Sequence, residues 1–561
     1  MANLVSRVYS GFAGIDLRGE ETAMTRSPDS LNMWKDYKEI DSIRTRPGMA
    51  LHTSFSSPVR GIFFLNGEMV VHSGDTLYAV ANGASTVVGK GLADDDCRGF
   101  VYENVLYLMD GRNYYRYNGK NLTLIEDGDS YAPYVPTTTI GRSPSGGGTT
   151  LEDVNMLSDW RYNTFLGDGE STRYYLDAEN IDPDGVIEVT VDTEKVTAFT
   201  VDYEKGVVTM TEAPAAPQTD GQDNVVIKFK KTVAGYKESI LGCRLLQVFD
   251  NRVFVSGNPE YPNVVWHCSL NDPTYFSDKD YYREGLDEAN ITGLVAGNNA
   301  LWVFREPSDA NTTVFYHTPT LDADYGKIYP SCHSSITTGC VGKAINFNDD
   351  IVFFSERGME GISGDVTTEQ VLGHRSTLVD RGLTSQPGYR DMLLEEWEGY
   401  LLVLMGKIVF LADSRSAFSN GSHLEYEWFR WELEREVTCT KVNSGVLYLG
   451  TAEGVYTLTD TNISLESWWV TPKDNFSQPN LLKTTNKRGC VVEATGYIGV
   501  YAKTESTEFQ QVGEYTYVED YTTCRIKRKK FKDIQLKFAS GERFSLERVT
   551  LEAFTGGYIK R

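Results

Sequence analysis

The sequence has no run of about 18 apolar residues, so it predicts no membrane-spanning helix. Its start, MANLVSRVYSGFAGIDLRGEE, lacks the apolar stretch of a secretory signal. None of its eight cysteines (Cys97, Cys243, Cys268, Cys332, Cys340, Cys439, Cys490, Cys524) forms a Cys-x-x-Cys pair, which argues against a zinc ribbon and predicts free thiols. The seven histidines (His52, His72, His267, His317, His333, His374, His423) never fall at metal-ligand spacing. There is no His-Glu-x-x-His, no Gly-x-Ser-x-Gly elbow and no P-loop, since SGGGTT at 145–150 lacks the phosphate-binding lysine. The pattern therefore predicts no catalytic, cofactor-binding or metal-binding residues and a chain that is not an enzyme. Basic charge is short as well: 54 Lys and Arg stand against 78 Asp and Glu, a net charge of −24. Readers of nucleic acid are basic. The role this balance leaves open is a wall past which DNA slides without being held, and acidic solubility is the plainer reading.

What is present is strand. The 561 residues are enough for several separate cores. Tyr (33), Phe (25) and Gly (51) are plentiful, which favours short strands and tight turns. Residues 58–83 read PVRGIFFLNGEMVVHSGDTLYAVANG: apolar runs broken at Asn66-Gly67, Gly74 and Asn82-Gly83. Asn-Gly between hydrophobic runs is a hairpin signal, because both turn positions need positive φ. The unit recurs at 97–125, 242–270, 291–319, 339–365, 389–413 and 437–460. Each copy has an apolar strand, a polar turn (EN, DN, GNN, NDD, EG, NSG) and a strand such as VLYL or IVFF. Such repeats, roughly 30–50 residues apart, read as propeller blades, which bury both sheet faces by stacking on one another.

The repeats are interrupted at 131–236. A Pro- and Gly-rich linker there leads into short strands with turns at DG, PDG and EKG. Beyond 465 the strands lengthen and alternate strictly. The expected fold is all-β: an extended arm (1–57), first blades (58–130), a linker and inserted small β-domain (131–236), remaining blades (237–464) and a C-terminal β-sandwich (465–561), with about six to eight blades in all.

A few stretches invite a chemical reading. Asn180-Ile-Asp182-Pro-Asp184-Gly185 resembles the start of a calcium loop, but its twelfth position is Val191 rather than Glu, so a plain turn is expected. RIKRKKFKDIQLKF (525–538) is the one dense basic run, and alternation puts Ile526, Ile534, Leu536 and Phe538 on one face of a solvated strand. Asp94-Asp95-Asp96 reads as a solvated loop. Cys332 and Cys340 flank HSSITTG, a spacing that a hairpin disulfide would suit. Six Asn-x-Ser/Thr sequons (Asn121, Asn290, Asn311, Asn420, Asn462, Asn475) carry no glycosylation meaning without a secretion signal. Asp280-Tyr281-Tyr282 and Trp468-Trp469 are aromatic stretches that suit either sugar stacking or packing.

GFAGIDLR (11–18), then SPDSLNMW (27–34), then Arg46-Pro47-Gly48 before the first blade, resembles the opening of phage tail proteins of the nozzle type, the tail tubular protein B or "stabilization protein" family. YVPTTTIGRSPSGGGTTLEDVNMLS (134–158), the inserted domain and GNPEYPNVVWHCSLNDPTYFS (257–277) are similar to the family in their order. The resemblance implies a β-propeller with added β-domains. It implies a ring, usually a hexamer, below portal and adaptor that conducts and retains the genome, hence a location in the virion and passing double-stranded DNA as a partner. It supplies no catalytic residues. The rival expectation is a peripheral tail protein that binds host surface glycans. In either case the arm over 27–49 is expected to pair with a late blade and cover its edge.

Overall fold

The computed structural model describes residues 3–558, apart from 20–21, 38–41, 127–132, 184, 186, 310–311, 324–325, 364–365, 367–369, 421–422, 462–463, 514 and 525–529. The only helices among the described residues are two short ones, Tyr236–Leu241 and Asp380–Leu383. All else that is regular is strand.

Each of the seven repeats forms a four-stranded antiparallel sheet. In every one, the first two strands are joined by a two-residue turn with both residues at positive φ: Asn66-Gly67, Glu103-Asn104, Asp250-Asn251, Asn298-Asn299, Asn348-Asp349, Glu398-Gly399 and Ser444-Gly445. That turn matches the twist of the strands it joins. The second strand then runs through the middle of the sheet; Ala300–Arg305 and Tyr400–Met405 are buried at every position. Sheets buried on both faces must be covered by neighbours on both, and four-stranded antiparallel sheets of this kind are β-propeller blades.

The chain divides into two compact units, Met1–Val87 with Ser334–Arg561, and Val88–His333. In the second unit, one core joins blade two (Met109, Tyr114) to blade three (Val253, Val255, Trp266), and another joins blade three (Phe254, Val265) to blade four (Leu301, Val303). The inserted domain spans strands from Thr137 to Lys230. It has a six-stranded and a three-stranded sheet, with Phe165, Tyr174, Val208, Ile227 and Phe229 between them.

In the first unit, blades five and six share a core around Phe354, Val403 and Trp428. Blade seven meets blade one through Val455, Val59 and Val71. Blade seven supplies only three of its own strands, Val437–Asn443, Val446–Thr451 and Gly454–Thr459; the fourth, Gly48–Ser54, comes from the N-terminal arm. First and last blades are thus locked together by the start of the chain.

The C-terminal strands continue the all-β pattern to the end of the described residues. They form one twelve-stranded, nearly closed, barrel-like sheet. Leu481–Thr504 is 24 residues long and pairs with Phe544–Tyr558 from Leu481 to Gly496 and with Ile534–Ser540 from Gly499 to Thr504, so one continuous strand links the two pairings. Four strands of the arm, Leu4–Ser10, Ser30–Leu31, Met33–Trp34 and Ile43–Thr45, belong to this same sheet. Strict alternation reports which face of a strand is buried; it does not report how far one strand bends.

Candidate functional site

The arm is a clasp. Asn32 adopts φ 58 and is bonded on every side. Its Nδ2 donates to the Glu466 carbonyl (2.8 Å), and its Oδ1 accepts from the Glu432 amide (2.8 Å) and from Arg46 Nε (2.9 Å). Arg46, 1 % exposed, donates onward to the carbonyls of Pro47 and Glu432 and to the Glu434 carboxylate. Burial draws the Arg46 pKa down although Glu434 partly offsets it, so the site is built around a fixed guanidinium. Two residues on, Trp34 stacks on Trp397 (centroids 5.5 Å) and meets Trp431 edge-on. Gly14, at φ 85, lies so close to the Trp428 carbonyl that a Cβ there would collide with it. Ile15 N–H donates to that carbonyl, and Ser27 Oγ accepts from the Val470 amide. Blade six, blade seven and the C-terminal sheet are therefore bonded to one extended segment.

The cluster closest to an acid–base site lies in blade five. His374 has Asp380 Oδ2 2.7 Å from Nε2 and Glu360 Oε1 3.2 Å from Nδ1. Burial works against its charge, but the hydrogen bonds it donates to both carboxylates prevail and raise its pKa to about 9. Both ring nitrogens are donors in this geometry. Neither is free to take a proton from a substrate, and the imidazolium ties the strand Gly358–Ser363 to the helix Asp380–Leu383. Next to it, Arg375 chelates Asp350 (2.8 and 3.3 Å), which also accepts from Tyr426 Oη of blade six (2.7 Å). In the second unit, His317 and Glu284 face each other at 2.9 Å with neither side chain exposed, and Ser331 Oγ donates to the other Glu284 oxygen (2.6 Å). His317 Nδ1 faces the Tyr329 carbonyl, an acceptor only, so it carries a proton. Among the described residues, no group of three or more potential metal ligands converges.

The stretches singled out in the sequence fall as follows. Asp182 accepts from the Thr232 amide and hydroxyl, which ties its loop to the chain just after the strand Val225–Lys230; Asp184 lies outside the described residues. Ile534, Leu536 and Phe538 are buried on one face as the alternation predicts, while 525–529, Ile526 among them, lie outside the described residues, as do Asn311 and Asn462. Asp94, Asp95 and Asp96 are exposed. All eight cysteines are thiols outside any disulfide, Cys332 and Cys340 included. Trp469 is buried and Trp468 sits under Lys537 (4.1 Å). Tyr282 packs against the His267 and His317 rings, and its hydroxyl accepts from the Tyr329 amide. Of these four aromatics, Tyr281 is the one with a large exposed surface. Sequence reasoning placed Asn32 and Arg46 in the stretches of the family resemblance and counted His374 among the unspaced histidines, but assigned none of them these partners, which only the fold brings together.

A cleft of about 1200 Å³ opens on the C-terminal sheet, lined by residues of the arm and of the strands Leu481–Thr504 and Phe544–Tyr558.

No family model matches the chain, and no curated protein matches it. Among solved structures it is similar to BamB from Moraxella catarrhalis (TM-score 0.32, 11% identity, 82% of this chain and 97% of that one). It is also similar to Hsv2 from Kluyveromyces lactis (TM-score 0.31, 10% identity, 74% and 94%) and to the extracellular domain of BT4673 from B. thetaiotaomicron (TM-score 0.25, 10% identity, 92% and 95%). Likeness at this level says nothing about what the chain does.

Proposed function

We propose that this chain is a structural virion protein of a bacteriophage, a tail nozzle or head–tail connector subunit that forms a ring, a homo-hexamer on the family pattern, which conducts and retains the genome. The observation that carries the reading is a coincidence of motif and structure. The three opening stretches of the family resemblance, Gly11–Arg18, Ser27–Trp34 and Arg46–Gly48, are the stretches that build the clasp. A part that must bear load gains from tying its late blades and terminal sheet to one strap. The net charge of −24 suits a wall that DNA slides past, since bound phosphates would stall it. The proposed partners are identical copies, portal, adaptor and other tail proteins, and passing double-stranded DNA read without sequence specificity. The proposed place is the virion, and the proposed role is mechanical rather than enzymatic.

Negative-stain imaging of the purified protein, with its mass measured on the same sample, tests this. Rings with a central channel and a mass near six chains are expected, either alone or on adding portal and adaptor. A monomer that stays monomeric with both partners present would overturn the reading.

A further inference from the structure

The outward face of the C-terminal sheet has an arrangement that neither the clasp nor the propeller explains. Along Leu481–Thr504, Val492, Ala494 and Ile498 are buried, while Glu493, Thr495 and Tyr497 alternate outward. Register sets Glu493 between Arg548 and Tyr521, Thr495 beside Ser545, and Tyr497 beside Tyr517. Tyr515 stacks on Tyr497 (5.6 Å, 15° between ring planes), and Tyr517 meets Tyr497 edge-on (5.2 Å). These rings are 40–53% exposed and Tyr521 is 66% exposed. The result is a strip with an aromatic at each end and paired charges and hydroxyls between. Its length is about 13 Å, from four residues of strand rise. Tyr517 and this middle stretch line the cleft of about 1200 Å³.

The arginines of the cleft are already matched: Arg548 lies 3.5 Å from Glu493, Arg44 lies 2.9 Å from Asp36 and 3.1 Å from Asp460, and Arg543 lies 3.7 Å from Asp460. Glu547, the other charged residue of the lining, adds a negative charge. A polyanion would find little net field there, on a chain that is acidic overall. A protein interface wants a dry apolar centre. Here the floor is Ser10, Thr495, Ser545 and ion pairs, with Val8 as the one exposed aliphatic residue. Adjacent donors and acceptors satisfy vicinal hydroxyls, which are both, and exposed tyrosine faces accept the C–H faces of pyranose rings.

We infer that this face binds a neutral polysaccharide, a short run of whose sugars lies along the strip between Tyr521 and the Tyr497–Tyr515–Tyr517 platform. The inference stands apart from ring assembly, which imaging reads separately.

Affinity electrophoresis of the full chain through gels of dextran, laminarin, galactomannan or a neutral O-polysaccharide tests it. At least one is expected to retard the wild-type protein. The retardation should not change as salt rises, because no net charge is involved. The double variant Tyr515→Ala/Tyr517→Ala, at two exposed positions, should bind about tenfold more weakly, the loss of stacking contacts, with an unchanged melting temperature. Arg548→Ala should weaken binding as well. Retardation by none of the four overturns the inference, as does equal retardation of the double variant. Salt-sensitive binding to heparin in place of the neutral gels would assign the face to a polyanion. Loss of self-association in the double variant, without polysaccharide binding in the wild type, would assign it to a second copy. Either result also overturns the inference.

Discussion

His374 and His267 respond to pH in opposite directions. His374, held between Asp380 and Glu360, has its pKa raised to about 9. The folded state binds the proton more tightly than the unfolded one, so this stabilisation is complete below the ordinary value near 6.5 and is lost as pH rises through about 9. His374→Gln should therefore cost on the order of 2 kcal/mol at pH 6, after allowance for the ring's partial exposure, and close to nothing at pH 9.5; thermal melts at both values check it. His267 is held neutral, with burial lowering its pKa to about 4 despite the bond to the Cys268 carbonyl. Its contribution is present above 6.5 and fades as pH falls toward 4. Asn32→Ala removes three side-chain bonds from the clasp and leaves the Arg46 guanidinium short of an acceptor. It should cost about 3 kcal/mol in chemical denaturation, and Asn32→Gly, which keeps φ 58 at no steric cost, should lose the bonds alone. Nothing local marks Asn32 in the sequence, since its partners are main-chain atoms near 432 and 466 and the Arg46 guanidinium fourteen residues on. Asn66 and Asn82, by contrast, announce their turns because the glycine beside each completes a pattern that only a hairpin uses.

At the scale of elements, the hairpins were legible and their completions were not. The second strands, such as Ala300–Arg305, are apolar runs between turn residues, and the seven turns follow the polar pairs seen in the repeats. The fourth strands, Ala84–Lys90, Leu122–Leu124 or Tyr281–Arg283, are short or half exposed and carry little pattern. That of blade seven is not in its repeat at all. The arm's pairing with a late blade follows from the need to cover an edge; its weaving into the C-terminal sheet does not. Removing residues 1–57 should expose both the edge of Gly454–Thr459 and the edge of Phe544–Tyr558, and give protein that aggregates or is digested under conditions where the full chain resists protease. Retention of a cooperative melt by that truncation would count against the clasp. Gly14→Ala is a milder probe: positive φ together with the Trp428 carbonyl in the way should cost more than about 2 kcal/mol at the single contact of this residue with blade six.

For the whole molecule, charge sets the terms of association. Copies that each carry −24 repel one another, and salt shortens the reach of that repulsion to about 8 Å at physiological strength. Assembly should therefore be favoured as salt rises from very low levels, visible as a shift to faster species in sedimentation velocity. The opposite trend would mean that ion pairs between copies, rather than burial, hold the assembly together. The borrowed strand of blade seven also has a consequence in time. Gly48–Ser54 leaves the ribosome about 400 residues before its partner Gly454–Thr459 does, a wait of about 20–80 s at ordinary rates of synthesis. During that interval the first blade has no last blade to rest on, and the chain must keep an open strand from finding a stranger.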